Sequence, residues 1–176
     1  MDQAEELRNV IKKQNQRTKK PARIITVTSG KGGVGKSNIA VNLAVQFQRM
    51  GLKTIIFDAD IGLANVEVMF GTIPKYSLND LIYHDKEIED IITDGPEGVG
   101  FISGGSGIMG LSNLTLDQIS YLVKSVEKLS AIADVVIVDT GAGISDSVME
   151  FVASSPEILL VTTPEPSSLT DAYSLL

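Results

Sequence analysis

The sequence predicts an α/β fold, with a mostly parallel sheet lying between layers of helices. Three observations carry this. Short β-branched runs recur without polar alternation, the pattern of strands covered on both faces. Longer segments with apolar residues at helical spacing stand between them. A glycine-rich stretch also separates the first such strand from the first such helix, where an α/β sheet presents its ligand-binding edge.

In chain order, residues 2–12 form a short helix with Ala4, Leu7 and Ile11 on one face, or a solvated terminus. Lys13 to Pro21 reads as a basic linker. Arg23 to Ser29 is the first strand, and Asn38 to Met50 a helix with the stripe Ile39, Ala40, Leu43, Ala44, Phe47 and Met50, stopped by Gly51. Lys53 to Phe57 is a buried strand ending in Asp58, and Val99 to Ser103 a third. Thr115 caps a long helix with the stripe Leu116, Ile119, Leu122, Val126 and Leu129. Val135 to Val138 ends in Asp139, a helix runs from about Ser145 to Ala153, and Ile158 to Thr162 is a fifth buried strand. Repeated β–α–β order gives a parallel sheet, so Ser29, Asp58, Asp139 and Thr162 are expected to converge at the strands' carboxyl ends. Ser174 to Leu176 falls just inside a further helix, which suggests that the domain continues.

Composition narrows the function. With 43% hydrophobic and 21% charged residues, the 176-residue chain has the balance of one globular domain. It contains no cysteine, which removes thiolate zinc and cysteine-ligated iron–sulfur sites and suits a cytosolic protein. No apolar stretch approaches the roughly 20 residues of a membrane span, and the polar N-terminus is not a signal peptide. The net charge of −7 disfavours non-specific nucleic-acid binding. Residues 1–21, in contrast, carry six basic against three acidic side chains, a separate functional unit.

Gly30-Lys-Gly-Gly-Val-Gly35-Lys36-Ser37 matches G-x-x-x-x-G-K-[ST] between a strand and a helix. Its glycines let successive backbone N–H groups point at phosphate oxygens, and the helix N-terminus adds its positive dipole end. Lys36 is expected to reach the β- and γ-phosphates and Ser37 to ligate Mg²⁺. Gly30, Gly32 and Gly35, with Asp58, also satisfy a dinucleotide-binding pattern. Lys36 and Ser37 decide against it, since that site needs neither a cation nor a hydroxyl there. Gly105, Gly107 and Gly110 repeat the spacing without a helix opening at Gly110, and read as a flexible loop. Asp139 stands where an acidic residue holds a magnesium-bound water, with Gly141 and Gly143 as a segment sensing the γ-phosphate. Asp58 and Asp60 either orient water and contact Mg²⁺ through water, or serve turn chemistry before Gly62. His84 reads as a surface residue, Met50, Met69, Met109 and Met149 as packing residues, and Glu87 to Asp90 as a solvated helix face.

Beyond the generic loop, Lys31 in Lys31-Gly-Gly-Val-Gly-Lys36-Ser37 resembles the deviant Walker A motif of the MinD/ParA ATPases. Asp58-Ala-Asp60-Ile-Gly-Leu-Ala-Asn65 is similar to their first switch, Asp139-Thr-Gly-Ala-Gly143 to their second, and Thr163-Pro-Glu-Pro166 to their adenine-side loop. The resemblance covers roughly Ala22 to the C-terminus. It implies the three-layer SIMIBI architecture of P-loop NTPases over 22–176, with a C-terminal part outside these residues. It also implies a slow Mg-ATPase whose ATP state is a homodimer sandwiching two nucleotides. Lys31 crosses to the partner's nucleotide, and Asp60 positions water. ATP or ADP would contact Gly30, Lys31, Gly32, Gly33, Val34, Gly35, Lys36, Ser37, Asn38, Gly141, Pro164 and Glu165. Mg²⁺ falls to Ser37, Asp58 and Asp139, and catalysis to Lys31, Lys36 and Asp60.

Met1-Asp-Gln-Ala-Glu-Glu-Leu-Arg8 is similar to the activator motif of the family's FlhG branch (also FleN or YlxH), which regulates flagellar number and placement. The implied partner is FlhF, an SRP-type GTPase, contacted by Gln3, Leu7 and Arg8 with Gln3 entering its active site. The branch also implies a cytoplasmic protein that sits on the inner face of the membrane when ATP-bound, through a C-terminal amphipathic helix not found in residues 1–176. Two rival classes exist on this scaffold. A DNA-partition ATPase is disfavoured by the acidic body, and a metal-cluster carrier by the lack of cysteine.

Overall fold

The computed structural model describes residues 21–105 and 114–176. The expected helix over 2–12, most of the basic linker, Gln3, Leu7, Arg8, Met109 and the Gly107–Gly110 stretch lie outside the described residues.

The described chain runs β1 (Arg23–Ser29), α1 (Lys36–Arg49), β2 (Thr54–Ala59), α2 (Asn65–Phe70), α3 (Leu78–Tyr83), β3 (Thr93–Asp94), β4 (Gly100–Ile102), α4 (Leu116–Leu129), β5 (Val135–Ala142), α5 (Asp146–Ser154), β6 (Glu157–Leu160) and α6 (Pro166–Tyr173). The sheet order is β3-β4-β2-β5-β1-β6. Every pairing is parallel except that of β3 with β4.

Alternate residues of the inner strands feed two cores, which explains their unbroken apolar sequence. Phe57, Val136 and Val138 pack with Leu122, Leu129 and Phe151 on the α4–α5 face. Val27, Ile56 and Ile137 pack with Ala40, Ala44 and Phe101 on the α1 face. The small Ala40 and Ala44 are fully buried and let α1 lie close to the sheet. Thr115 caps α4 as expected, through a box in which its Oγ1 accepts from the Gln118 N–H and Gln118 Oε1 from the Thr115 N–H.

Several expectations are corrected. β5 continues past Asp139 to Ala142, because the Thr140 hydroxyl bonds Thr28 Oγ1 inside the sheet and Ala142 pairs with Ser29 beyond a register shift. β6 is an edge strand, and Ile158 and Leu159 are exposed instead of buried. Leu116 and Ile39, assigned to apolar stripes, are exposed at the first turns of α4 and α1. Met50, Met69 and Met149 are exposed too, Met50 because it lies past the last turn of α1. Residues 88–91 form a 3₁₀ turn that buries Ile88 and Ile91 while Glu87 and Glu89 face solvent. His84 lies on the surface, beside Asn79 and Asp80.

Candidate phosphate-binding site

The glycine-rich loop leaves β1 at its carboxyl end and turns into α1 at Gly35, whose φ of 90° lies in the left-handed region. That turn lets the helix start at Lys36, two residues before the expected Asn38. The N-terminus of α1 has no side-chain cap and no acidic residue in its first turn, so its free N–H groups and dipole face the loop uncompensated. Above it opens a cleft of about 350 Å³. Gly32, Gly33, Gly35, Lys36, Ser37 and Asn38 line it on the loop side, with Asp60 and Asn65 opposite. The loop, the first turn of α1 and Asp60 thus line one cleft.

The inner end of the loop is closed by a buried ion pair. Lys36 Nζ lies 2.6 Å from Asp139 Oδ1 and 3.3 Å from Ser37 Oγ, and the lysine and aspartate side chains are 8% and 0% exposed. The other Asp139 oxygen, Oδ2, is buried without a partner. An ammonium, a hydroxyl and an orphaned carboxylate oxygen thus meet beneath the cleft. Hard oxygen donors of this kind suit Mg²⁺, which commonly takes one or two protein ligands and completes its shell with phosphate and water. Ser37 and Asp139 fit the ion.

Asp58 pairs in register with Asp139 and, like Asp139, lies behind the residues that line the cleft. It is fully buried, and its Oδ1 and Oδ2 accept from the backbone N–H groups of Asp60 (3.2 Å) and Val66 (3.1 Å). Burial pushes its carboxyl up to about 7, helped by Asp139 and Asp60 and opposed by those two backbone donors. Asp60, half-buried at the cleft, is also raised by burial and by Asp139, against Lys36 and an Asn65 hydrogen bond that lower it.

The outer end of the loop is built from α6. A Cβ on Gly30 would overlap the Asp171 and Ala172 backbone, so only glycine permits this packing. Lys31 does not enter the cleft. Its Nζ reaches Glu165 Oε2 at 3.3 Å and Ser167 Oγ at 3.2 Å on the surface. Pro164 and Glu165 are exposed at the head of α6, beyond the cleft lining. The Val34 side chain packs against the α1-side core, so only its backbone is available to phosphate. Gly141 borders a neighbouring cleft of about 590 Å³ that shares Gly32, Asp60 and Ala142 with the first. Thr162 does not converge on the site, because its hydroxyl pairs with Ser168 at the sheet edge. Asn65 was missed by sequence reasoning. Its signal was its place at the end of the segment that resembles the first switch, to which no role was attached.

The family description "ParA: NUBPL iron-transfer P-loop NTPase" matches residues 20–174. The chain belongs to the ParA/MinD family of P-loop NTPases. Within this family it is 44% identical over 156 residues to the antiactivator FleN of Pseudomonas aeruginosa, covering 89% of the chain and 56% of FleN. It is 37% identical over 180 residues to the flagellum site-determining protein YlxH of Helicobacter pylori, covering 99% of the chain and 61% of YlxH. The chain thus spans under two thirds of these relatives' length. Among solved structures, the cell division ATPase MinD of Pyrococcus furiosus matches with a TM-score of 0.75 and 29% identity, over 88% of this chain and 65% of that one. MinD of Pyrococcus horikoshii, complexed with Mg-ADP, matches with a TM-score of 0.73 and 30% identity, over 85% of this chain and 61% of that one. Iron transfer, named in the family description, has no thiolate to use in these 176 residues.

Proposed function

We propose that the chain is the nucleotide-binding part of a regulatory Mg-ATPase switch that dimerises on ATP and controls flagellar number and placement. The observation that carries it is the division of the two loop lysines, Lys36 turned inward onto Asp139 and Lys31 turned outward to the surface. In this reading Gly30 to Asn38 cradle ATP or ADP phosphates and Lys36 neutralises them. Ser37 and Asp139 would hold Mg²⁺, which when bound would offset the charge of the phosphates, with Asp58 supporting from beneath. Asp60 orients the attacking water, the Gly141 backbone senses the γ-phosphate, and Pro164 and Glu165 flank the adenine. Lys31 serves the nucleotide of a second copy. The similarity to FleN and YlxH supports the flagellar role.

The proposed division is an activator segment at 1–12, a basic linker at 13–21 and the ATPase domain from 22. Gln3, Leu7 and Arg8 would contact the SRP-type GTPase FlhF, and the ATP dimer would work in the cytoplasm against the inner membrane face through a segment beyond residue 176. No helix among the described residues is long and apolar enough to cross a membrane. Nucleic acid is not an expected partner, since residues 21–176 carry nine basic and nineteen acidic side chains.

Two measurements test the reading. The chain should bind and slowly hydrolyse Mg-ATP, with hydrolysis rising steeply with protein concentration; a rate per chain independent of concentration contradicts the dimer. A peptide of residues 1–20 should stimulate the GTPase, less so with Gln3→Ala, and an inert wild-type peptide ends the activator claim.

A further inference from the structure

We propose that Asn65 is a positioning residue for Asp60, fixing which carboxylate oxygen is free to act in the cleft. This rests on the reading of the site as an ATP hydrolase. Asn65 opens α2 directly after Ala64, which takes φ 43° and ψ 54°, a left-handed conformation that alanine rarely adopts. Ala64 is completely buried, so packing holds the turn in place. The turn folds the chain back until the Asn65 side chain reaches Asp60, five residues earlier.

Asn65 Nδ2 donates to Asp60 Oδ2 at 2.7 Å. The orientation of the amide is dictated by its neighbour. An ionised carboxylate only accepts, so the NH₂ group and not the carbonyl must face it. The Leu63 N–H donates to the Asp60 carbonyl at 3.1 Å, and the Val66 N–H to Asp58 Oδ2 at 3.1 Å. Residues 58–66 therefore close on themselves through bonds to the two acids that begin the segment.

One Asp60 oxygen is taken by Asn65. The other, Oδ1, lies over Gly141, 3.3 Å from where a Cβ would stand on that residue. Asn65 and Asp60 line the same cleft as Lys36 and Ser37. A carboxylate free to rotate would present its oxygens in many directions. The amide removes that freedom and aims Oδ1 across the second glycine segment, where a water attacking a bound phosphate would need it.

Asn65→Asp separates positioning from architecture. It preserves the side-chain shape, and an acidic residue is favoured in the first turn of a helix, so α2 should form at least as well. It removes the donor, however, and sets a second carboxylate against Asp60. The experiment uses the full chain and compares wild type, N65A and N65D by ATP hydrolysis across a range of protein concentrations, fluorescent ATP binding and thermal melting. The expected result is a fall in kcat of about ten-fold or more for both variants. Nucleotide affinity should stay within about three-fold for N65A, which adds no charge to the cleft, and thermal melting should show both variants folded at the assay temperature. N65D turning over at the wild-type rate, or a loss of rate in N65A matched by an equal loss of affinity, overturns the assignment of Asn65. A wild-type chain that binds ATP without ever hydrolysing it overturns the hydrolase reading itself, and the purpose given to Asn65 with it.

Discussion

The two ends of the phosphate loop each carry a lysine, five residues apart, in opposite surroundings. At the inner end Lys36 is buried, 2.6 Å from a fully buried carboxylate that has an oxygen left over. At the outer end Lys31 is 42% exposed and meets Glu165, itself 66% exposed, at 3.3 Å. A buried pair of this geometry is an obligation, because removing either partner strands a charge away from water. A surface pair is held weakly and is easily exchanged for another partner. The sequence places both residues in one motif; only their surroundings show that one is committed to its own cleft and the other is free to leave.

The largest effect expected from breaking this contrast comes from Lys36→Ala. Nucleotide affinity should drop by about 100-fold or more, since the charge-assisted bonds to phosphate are lost. Stability should fall by about 3–5 kcal/mol, because Asp139 is left buried and unpaired. Combining it with Asp139→Asn should restore melting without restoring binding, and both are read by fluorescent ATP titration beside thermal denaturation. An intact melt for Lys36→Ala alone would show that the pair is not the constraint described.

Next in size is Gly30→Ala, which probes how the outer end is seated. Its Cβ would collide with the α6 backbone at Asp171 and Ala172, so destabilisation of about 1–3 kcal/mol is expected in a denaturant melt. Gly32→Ala, with open space at its Cβ, should be milder.

Beneath the inner end, Asp58 gives a pH dependence. Its carboxyl is raised by burial to about 7 from an ordinary value of 3.8, so the folded chain holds a proton that the unfolded chain has released across that window. The contribution to stability is present in full below about pH 4 and declines as pH rises toward 7, by at most about 1.4 kcal/mol per pH unit. Asp58→Asn should flatten that slope between pH 5 and pH 7 in melts of the nucleotide-free chain. An unchanged slope would assign the dependence to another group.

The smallest effect is the most discriminating. Lys31→Ala should alter stability by roughly 1 kcal/mol or less and, at protein concentrations that keep the chain monomeric, leave nucleotide affinity within about three-fold, as expected for a surface pair outside its own cleft. A large loss of affinity would place Lys31 in the same cleft as Lys36.

Much of this was legible in the sequence, and what was not has identifiable causes. β1, β2, β4 and β5 announce themselves because both faces are buried, leaving no polar alternation to confuse the pattern. The loop and its two lysines are fixed by spacing, and the Thr115 cap by a threonine standing just before the apolar stripe of α4. The six-residue helices α2 and α3 are too short to show a helical period, and two-residue β3 exists only through its pairing with β4. The exposure of Ile158 and Leu159 depends on β6 lying at the sheet edge, which composition does not reveal. The contact of Lys31 with Glu165 joins residues 134 apart, and that of Asn65 with Asp60 needs a left-handed alanine no propensity scale would place there. Local pattern marks the chemistry, whereas the partner of each polar group is set by the fold.

The central claim is that the loop is divided between two nucleotides, and equilibrium sedimentation in saturating Mg-ATP tests it most directly. Asp60→Ala, which should block hydrolysis and hold the ATP state, would be compared with Asp60→Ala/Lys31→Ala after confirming that both bind ATP equally. The account predicts a dimer for the first and a monomer for the second. ATP dimers that form as readily without Lys31 would contradict it.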